Sequence, residues 1–524
     1  MAVSAIDSRY QFNLLMLYGA GALALLLAGV LLAANLYLVA LMLAGVGWLV
    51  TLPYHARLSA VLATATFSAA FILPMVPGRP FVWEMTALLG WSGVVVLTLL
   101  RRFPPDLRET LYRNRWIFYG VFVYCLTLLF IMYMRGFGLR VLGSTGMMGG
   151  RLYLQQLVCA IFPLLFAMIR MEEKTLVRLL LLQWLLSTTY FVSDFAFSFG
   201  GGAEVLLMFF EVPADAINFE GQAYHFGIRR FQSFQNAGLG LMFFLLARYA
   251  LRDFFGRKGW WLLPTFVGIF AISLLSGHRT IVFYVTGTLL MLAIAQRFFT
   301  ARTLILAPLA TMLVLMLVYT QADHLPLAAQ RAVSFLPGIE IHPSAAADAA
   351  KTLQGRKMLR HAGAQIIPDY LWVGRGFARY ADIHLAPLDP DGVTAHIEQG
   401  VFYNGFIGLL VNTGLAGTLG MMLVIGGGTV LAVRVLKLVR QLGSEHILCR
   451  IGAILGGFWV TNVLFFLFLH GDAELALKSF ALQLGTLIMA ERLLLERQAA
   501  GFAEAEAAPA EMAPGHPAAA NVPA

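Results

Sequence analysis

Residues 116–134 read WIFYGVFVYCLTLLFIMYM, without an Asp, Glu, Lys or Arg among them. As an α-helix rising about 1.5 Å per residue, such a run nearly crosses a hydrocarbon layer of about 30 Å. A lipid-facing barrel strand would alternate apolar and polar residues at every second position, and no such alternation survives here. A single helix also satisfies all its own backbone hydrogen bonds, which an apolar environment demands.

Comparable blocks recur at roughly 12–32, 34–53, 57–75, 81–100, 152–170, 178–198, 236–251, 260–276, 280–296, 303–320, 401–433, 451–470 and 475–491. With 116–134 they predict an all-α, polytopic transmembrane bundle of about 14 spans. The long run 401–433 is expected to tilt or break at Gly426-Gly427-Gly428. Over 524 residues, 59% are hydrophobic and 12% charged, and the mean hydropathy is +0.76. A soluble domain carries about a quarter charged residues, so this chain has too little polar material to coat a water-facing surface.

The net charge of +9 does not point to nucleic acid, because the basic residues sit in short clusters between apolar blocks. That is the pattern of topology determinants. Arg101, Arg102, Arg108, Arg113 and Arg115 form one cluster; Arg252, Arg257, Lys258, Arg297, Arg302, Arg434, Lys437, Arg440 and Arg450 fall on the same side when spans alternate. That side, with both termini, is expected to be the cytoplasm. The polar start ending at Arg9, followed by a full-length apolar span, reads as an uncleaved first span. Cys125, Cys159 and Cys449 are scattered and make neither a metal spacing nor a disulfide framework.

The expected organisation is N-terminal transmembrane helices (1–200), middle helices with arginine-bearing outer loops (201–320), a large outer loop (321–400), C-terminal transmembrane helices (401–495) and a tail (496–524). The tail beyond Arg497 is rich in Ala, Pro and Glu and reads as disordered. The large loop is too polar to span, holds a helix expected over about Ala345–Ile367, and is long enough to carry function. Asp194 and Lys478 are the notable charges inside apolar blocks, and both lie near block ends.

The outer side carries arginines against the positive-inside tendency: Arg229, Arg230, Arg279 in the tight turn Ser276-Gly277-His278-Arg279, and Arg356 with Arg360 one helical turn apart. A guanidinium fork grips phosphate oxygens in two places, so several converging at a membrane surface suit a lipid pyrophosphate. Taken singly, an outer arginine such as Arg356 or Arg360 reads as a snorkelling or structural residue, whereas Arg279 reads as functional because a tight turn beside the membrane gives it few other partners. Gly374-Arg375-Gly376 follows no strand–helix unit and is better read as a turn than as a nucleotide loop. His324, His342, His361, His384 and His396 are irregularly spaced, so no metal and no cofactor is expected.

In order, Arg230-Phe231-Gln232-Ser233-Phe234-Gln235-Asn236-Ala237-Gly238, Ser276-Gly277-His278-Arg279, a loop helix, Gly374–Phe377, Asn404 and Gly414-Leu415-Ala416-Gly417 resemble the O-antigen ligase / O-antigen polymerase (Wzy-type) superfamily of polytopic membrane proteins. The likeness covers roughly residues 225–435, and the order of short motifs carries it. The family places a His directly before the Asn, where this chain has Tyr403; His396 and Glu398 lie upstream. The resemblance implies a periplasmic large loop, a bacterial inner membrane, and a metal-independent glycosyl transfer from an undecaprenyl-pyrophosphate carrier. It implies membrane lipid and a chain-length regulator or export complex as further partners, and no nucleic acid.

On that reading Arg279, Arg229, Arg230, Arg356 and Arg360 hold pyrophosphate, His396 or Glu398 activates or orients the acceptor, and Tyr403 and Asn404 bind or position substrate. Within the family a polymerase joins one lipid-linked repeat to another, whereas a ligase transfers the glycan to a lipid A-core or protein acceptor. Tyr403 and the two spans beyond the usual dozen tilt the expectation toward a polymerase of O-antigen or exopolysaccharide. A lipid-linked oligosaccharide transporter is the rival class and predicts short loops, paired halves and a charged cavity inside the membrane. A non-catalytic scaffold of an export complex would tolerate loss of every outer arginine.

Overall fold

A computed structural model describes residues 36–74, 79–138, 147–212, 230–380 and 393–507, with isolated positions 27, 30 and 228. The predicted span 12–32, Arg229 and the chain beyond 507 therefore lie outside the described residues, apart from those isolated positions. The described chain is helical; the strands Met147–Met148 and Arg379–Tyr380 pair antiparallel over two residues each.

In chain order the helices are α1 (Tyr37–Thr51), α2 (His55–Thr66), α3 (Val82–Leu99), α4 (Leu107–Arg113), α5 (Arg115–Arg135), α6 (Gly150–Cys159), α7 (Phe162–Met168), α8 (Glu173–Leu186) and α9 (Thr189–Phe199). There follow α10 (Phe234–Arg248), α11 (Gly259–Leu274), α12 (Thr280–Ala295), α13 (Ala301–Gln321), α14 (Leu327–Val333), α15 (Pro343–Tyr370) and α16 (Val393–Gln399). The chain closes with α17 (Gly405–Leu442), α18 (Ile447–Leu464) and α19 (Ala476–Ala507).

Among the described residues, seven helical stretches are long and apolar enough to cross a membrane: Val82–Leu99, Arg115–Arg135, Gly150–Met168, Glu173–Phe199, Gly405–Leu442, Ile447–Leu469 and Ala473–Gly501. The predicted blocks 260–276 and 280–296 form helices of 16 residues each. Blocks 34–53, 57–75 and 236–251 form helices of 15, 12 and 15 residues. Leu99, Phe122, Tyr133 and Trp260 stand exposed on the outside of the bundle. Apolar side chains facing outward, over a core itself apolar, are what a lipid solvent allows.

Two expectations need correction. The break in 401–433 falls at Gly414, whose backbone is left-handed (φ 64°, ψ −172°), and not at Gly426–Gly428. The later glycines serve close approach instead. A Cβ on Gly427 would stand 2.9 Å from Ile117 of α5, and one on Gly428 would stand 2.2 Å from the Trp459 ring of α18. The tail is also helical as far as Ala507, continuing α19 beyond Arg497.

Helix α19 runs through the middle of the bundle, and its far end is pinned by charges. Arg492 donates to Asp106 at 2.8 Å and to the Ile169 carbonyl at 2.8 Å, and Arg170 reaches Asp106 at 3.1 Å. Arg434 of α17 donates to Glu491 and to Asn114, each at 2.6 Å. Arg450 donates to the carbonyls of Ala247, Ser444 and Glu445. Arg434 and Arg450 therefore do more than mark topology. The charges noted inside apolar blocks are also partnered: Lys478 with Glu84, and Asp194 with the Ser233 N–H at 2.9 Å.

Candidate functional site

At the opposite end of the same helices, the break in α17 builds a platform. A helix interrupted at Gly414 leaves backbone groups without their usual partners, and buried ones must find others. The segment after α15 supplies them. The Arg375 N–H donates to the Val411 carbonyl at 2.8 Å, the Gly376 N–H to Asn412 at 2.9 Å, and the Leu415 N–H to Leu371 at 2.7 Å. The Gly-x-Gly segment is thus a docked turn, as its sequence context indicated. Arg375 then reaches on to the carbonyls of Ile397 (2.6 Å) and Glu398, fixing the end of α16. Asn412, buried, donates to the Gly400 carbonyl at 3.0 Å.

The loop 400–404 so held presents Tyr403, whose φ of 48° is left-handed and strained for a side chain of that size. The Asn404 amide oxygen accepts the Ile407 N–H at 3.0 Å and caps α17, so this Asn starts a helix. His396 Nε2 lies 3.1 Å from the Tyr403 hydroxyl. On the other side, Arg356 sits 5.2 Å above the Tyr403 ring, and His470 stacks on that ring at 4.9 Å. His470 comes from the connection between α18 and α19. A π-helical turn over Phe465–Leu469 delivers it, a distortion common where a helix serves a site.

The arginines divide by their partners. Arg230 binds Asp348 at 2.8 Å, and buried Arg331 binds the same carboxylate together with the Gly277 carbonyl and Thr352. Arg331 therefore holds the turn 276–279 against α15. Arg360 donates to the carbonyls of Tyr403 (3.2 Å) and Leu469 (2.6 Å), bracing the two loops that meet at the site. Arg279 and Arg356 are different. Among the described residues neither guanidinium makes a hydrogen bond or a close ion pair; the carboxylates that act on them do so at longer range, Asp348 on Arg279 and Asp472 on Arg356. The two arginines are close enough to act on one another, and burial lowers the pKa of each from 12.5.

Beside them lies a cavity of about 290 Å³ lined by His278, Thr280, Tyr284, His470, Asp472 and Ser479, with Gln235 and Asn462 further in. His470 Nδ1 and Asp472 Oδ1 are buried without a hydrogen-bond partner. Burial, then the charges of Arg331, Arg230, His470 and Arg356, push His278 down to about 3. Burial, with Arg356 and Arg360 nearby, takes His470 to about 4. Both imidazoles are neutral at neutral pH. Burial and the neighbouring Glu474 raise Asp472 to about 6, against the pull of Arg356. Such a carboxyl can take up a proton near neutrality, the property a general base requires.

Of the residues singled out in the sequence, Arg279, Arg356, Arg360, Tyr403 and His396 gather here, with Arg230 one shell behind. Asn404 is present as a helix cap. Glu398 contributes its backbone carbonyl to Arg375. Sequence reasoning missed Arg331, Asp348, Arg375, His278, His470 and Asp472 as site residues. For the last two a signal existed: His470-Gly471-Asp472 is a short polar interruption between two apolar blocks, on the same side as Arg279. Among the described residues no three His, Cys, Asp or Glu side chains converge as a metal site. No family model matches the chain, nor does any curated protein or solved structure.

Proposed function

We propose that this chain is a membrane glycan polymerase that joins oligosaccharide repeats carried on undecaprenyl pyrophosphate. In this reading the bundle has about 14 spans in a bacterial inner membrane with both termini in the cytoplasm. The arginine-bearing end, with the segment 321–400, faces the periplasm. The reading rests on the motif order that resembles the Wzy-type superfamily and on one observation above all. Arg279 and Arg356, two guanidiniums without a hydrogen-bonded carboxylate among the described residues, stand near one another beside a cavity holding a proton acceptor. Two neighbouring half-buried cations suit a doubly charged anion, and a pyrophosphate diester is one.

The chemistry is balanced with these groups. An acceptor hydroxyl oxygen attacks the anomeric carbon of the donor sugar, and the bond from that carbon to the pyrophosphate oxygen breaks. The pyrophosphate leaves with the electron pair, its developing charge held by Arg279 and Arg356. The hydroxyl proton passes to Asp472. His470 is held against Tyr403 by stacking and orients the acceptor. His396 positions the Tyr403 hydroxyl, Arg360 holds the two loops in register, and Arg230 with Arg331 fixes the turn that presents Arg279.

The test is genetic complementation. A strain lacking the gene receives wild type, Arg279→Ala, Arg356→Ala or Asp472→Asn at equal membrane levels, and the lengths of surface and lipid-linked glycan are measured. A polymerase leaves single repeats on the carrier in the deletion and in all three variants. Long chains trapped on the carrier make the protein a ligase instead. Normal polymer from every variant removes the site assignment and favours a transporter or a scaffold.

A further inference from the structure

A second cavity, of about 280 Å³, lies deeper in the bundle between the end of α2 and helices α8, α9, α10, α18 and α19. Asn462 and Ser479 line both this cavity and the one beside the arginines, so the two are neighbours. Amides and hydroxyls line it (Gln183, Asn236, Gln483 and Ser68 among them), together with the rings of Trp184 and Phe458. No Asp, Glu, Lys or Arg among the described residues lines it. Asn236, exposed in the first turn of α10, bonds the Tyr190 hydroxyl at the cavity wall.

Three kinds of occupant can be weighed by chemistry. An ion would find no countercharge. Gln183 donates to Ser68, Gln483 accepts from Asn462 and Asn236 bonds Tyr190, which leaves each amide further donors or acceptors; a hydrocarbon tail would leave those unmatched, at about 1–3 kcal/mol for each. A neutral ring rich in hydroxyls satisfies both parts of the wall: its hydroxyls bond the amides, and its C–H faces lie on the aromatic rings. We infer that this inner cavity is a binding site for a neutral sugar, the one attached directly to the pyrophosphate gripped by Arg279 and Arg356. The inference rests on the pyrophosphate reading for its placement and adds a site that reads the sugar.

The experiment separates the two. Purified full-length protein in detergent is titrated with farnesyl pyrophosphate and with farnesyl-pyrophosphoryl sugars bearing a hexose, an N-acetylhexosamine or a 6-deoxyhexose. The change in tryptophan fluorescence is followed, since Trp184 lines the cavity. At least one sugar-bearing probe is expected to bind about 10-fold tighter than farnesyl pyrophosphate, a gain typical of a few well-placed hydrogen bonds. Asn236→Leu and Gln483→Leu each erase that gain while binding farnesyl pyrophosphate as wild type does, which also shows that they fold. Arg279→Ala weakens all probes together. A wild type that shows no gain with any of the three sugars overturns the inference, leaving a water-filled cavity. So does a gain that survives both Leu variants. If Arg279→Ala leaves farnesyl pyrophosphate binding unchanged, the pyrophosphate reading fails, and the sugar-dependent gain is judged separately.

Discussion

The two ends of the bundle use the same residue type in opposite ways. At the end where α17 and α19 finish, Arg434, Arg492 and Arg450 are each saturated by carboxylates, amides or carbonyls from other helices. At the end where they start, Arg230, Arg331 and Arg360 are likewise engaged, but among the described residues Arg279 and Arg356 make no hydrogen bond or close ion pair. A half-buried guanidinium that makes no hydrogen bond to the chain forgoes hydration that the Tyr403 ring and the more distant Asp348 and Asp472 offset only in part, so its retention there points to a ligand, whereas a saturated one is accounted for by packing. Pairing, more than the number of arginines, separates scaffold from site.

That contrast can be broken by exchanging readouts. Arg434→Ala strands the carboxylate of Glu491, whose side chain is only 4% exposed. The expected loss is about 3–5 kcal/mol of stability, seen as a lowered unfolding temperature in detergent with polymer length unchanged in the molecules that fold. Arg279→Ala and Arg356→Ala do the reverse. Each should lower the transfer rate by about 10²–10³-fold, with the unfolding temperature within about 2 °C of wild type. A stability loss at Arg279 as large as that at Arg434 would end the distinction.

Asp472 sharpens the comparison through pH. Its folded pKa of about 6 lies above the ordinary 3.8, so the native state binds a proton more tightly than the unfolded chain. The protonated form's contribution to stability is complete below about pH 4 and is lost as pH rises through 6. Asp472→Asn, which cannot ionise, should therefore unfold at a higher temperature than wild type at pH 8, by up to about 3 kcal/mol, while transferring no glycan. The advantage shrinks toward nothing at pH 4. A variant less stable than wild type at pH 8 would show that the carboxylate is structural.

At the small end stands Arg252, paired with Glu445 but with side chains 62% and 72% exposed. Its loss should change stability by no more than about 0.5 kcal/mol, because water and salt screen such a pair. A clear fall in unfolding temperature for Arg252→Ala would mean that exposure is a poor guide at this surface.

Much of the architecture was legible from the order of residues. Blocks such as 116–134, 451–470 and 475–491 became long apolar helices, and the polar segment near Ala345–Ile367 became α15, extending to Pro343 and Tyr370. The cluster Arg279, Arg356, Arg360 and Tyr403 was legible as a set of candidates. The site of the break in α17 was not, because a glycine run signals a bend and a close helix contact equally well. Gly428 lies under the Trp459 ring, a contact only the packed bundle reveals.

The sequence by itself determined that this chain forms long apolar helices with arginines on short connections, since hydrophobic length and local charge are summed along the chain. Only the tertiary structure decided which arginines are satisfied. Arg230 meets Asp348 across 118 positions, Arg360 meets Leu469 across 109, and His470 reaches Tyr403 from another helix end. Pairing depends on which groups converge, and convergence belongs to helix packing, which short-range patterns in the sequence do not encode.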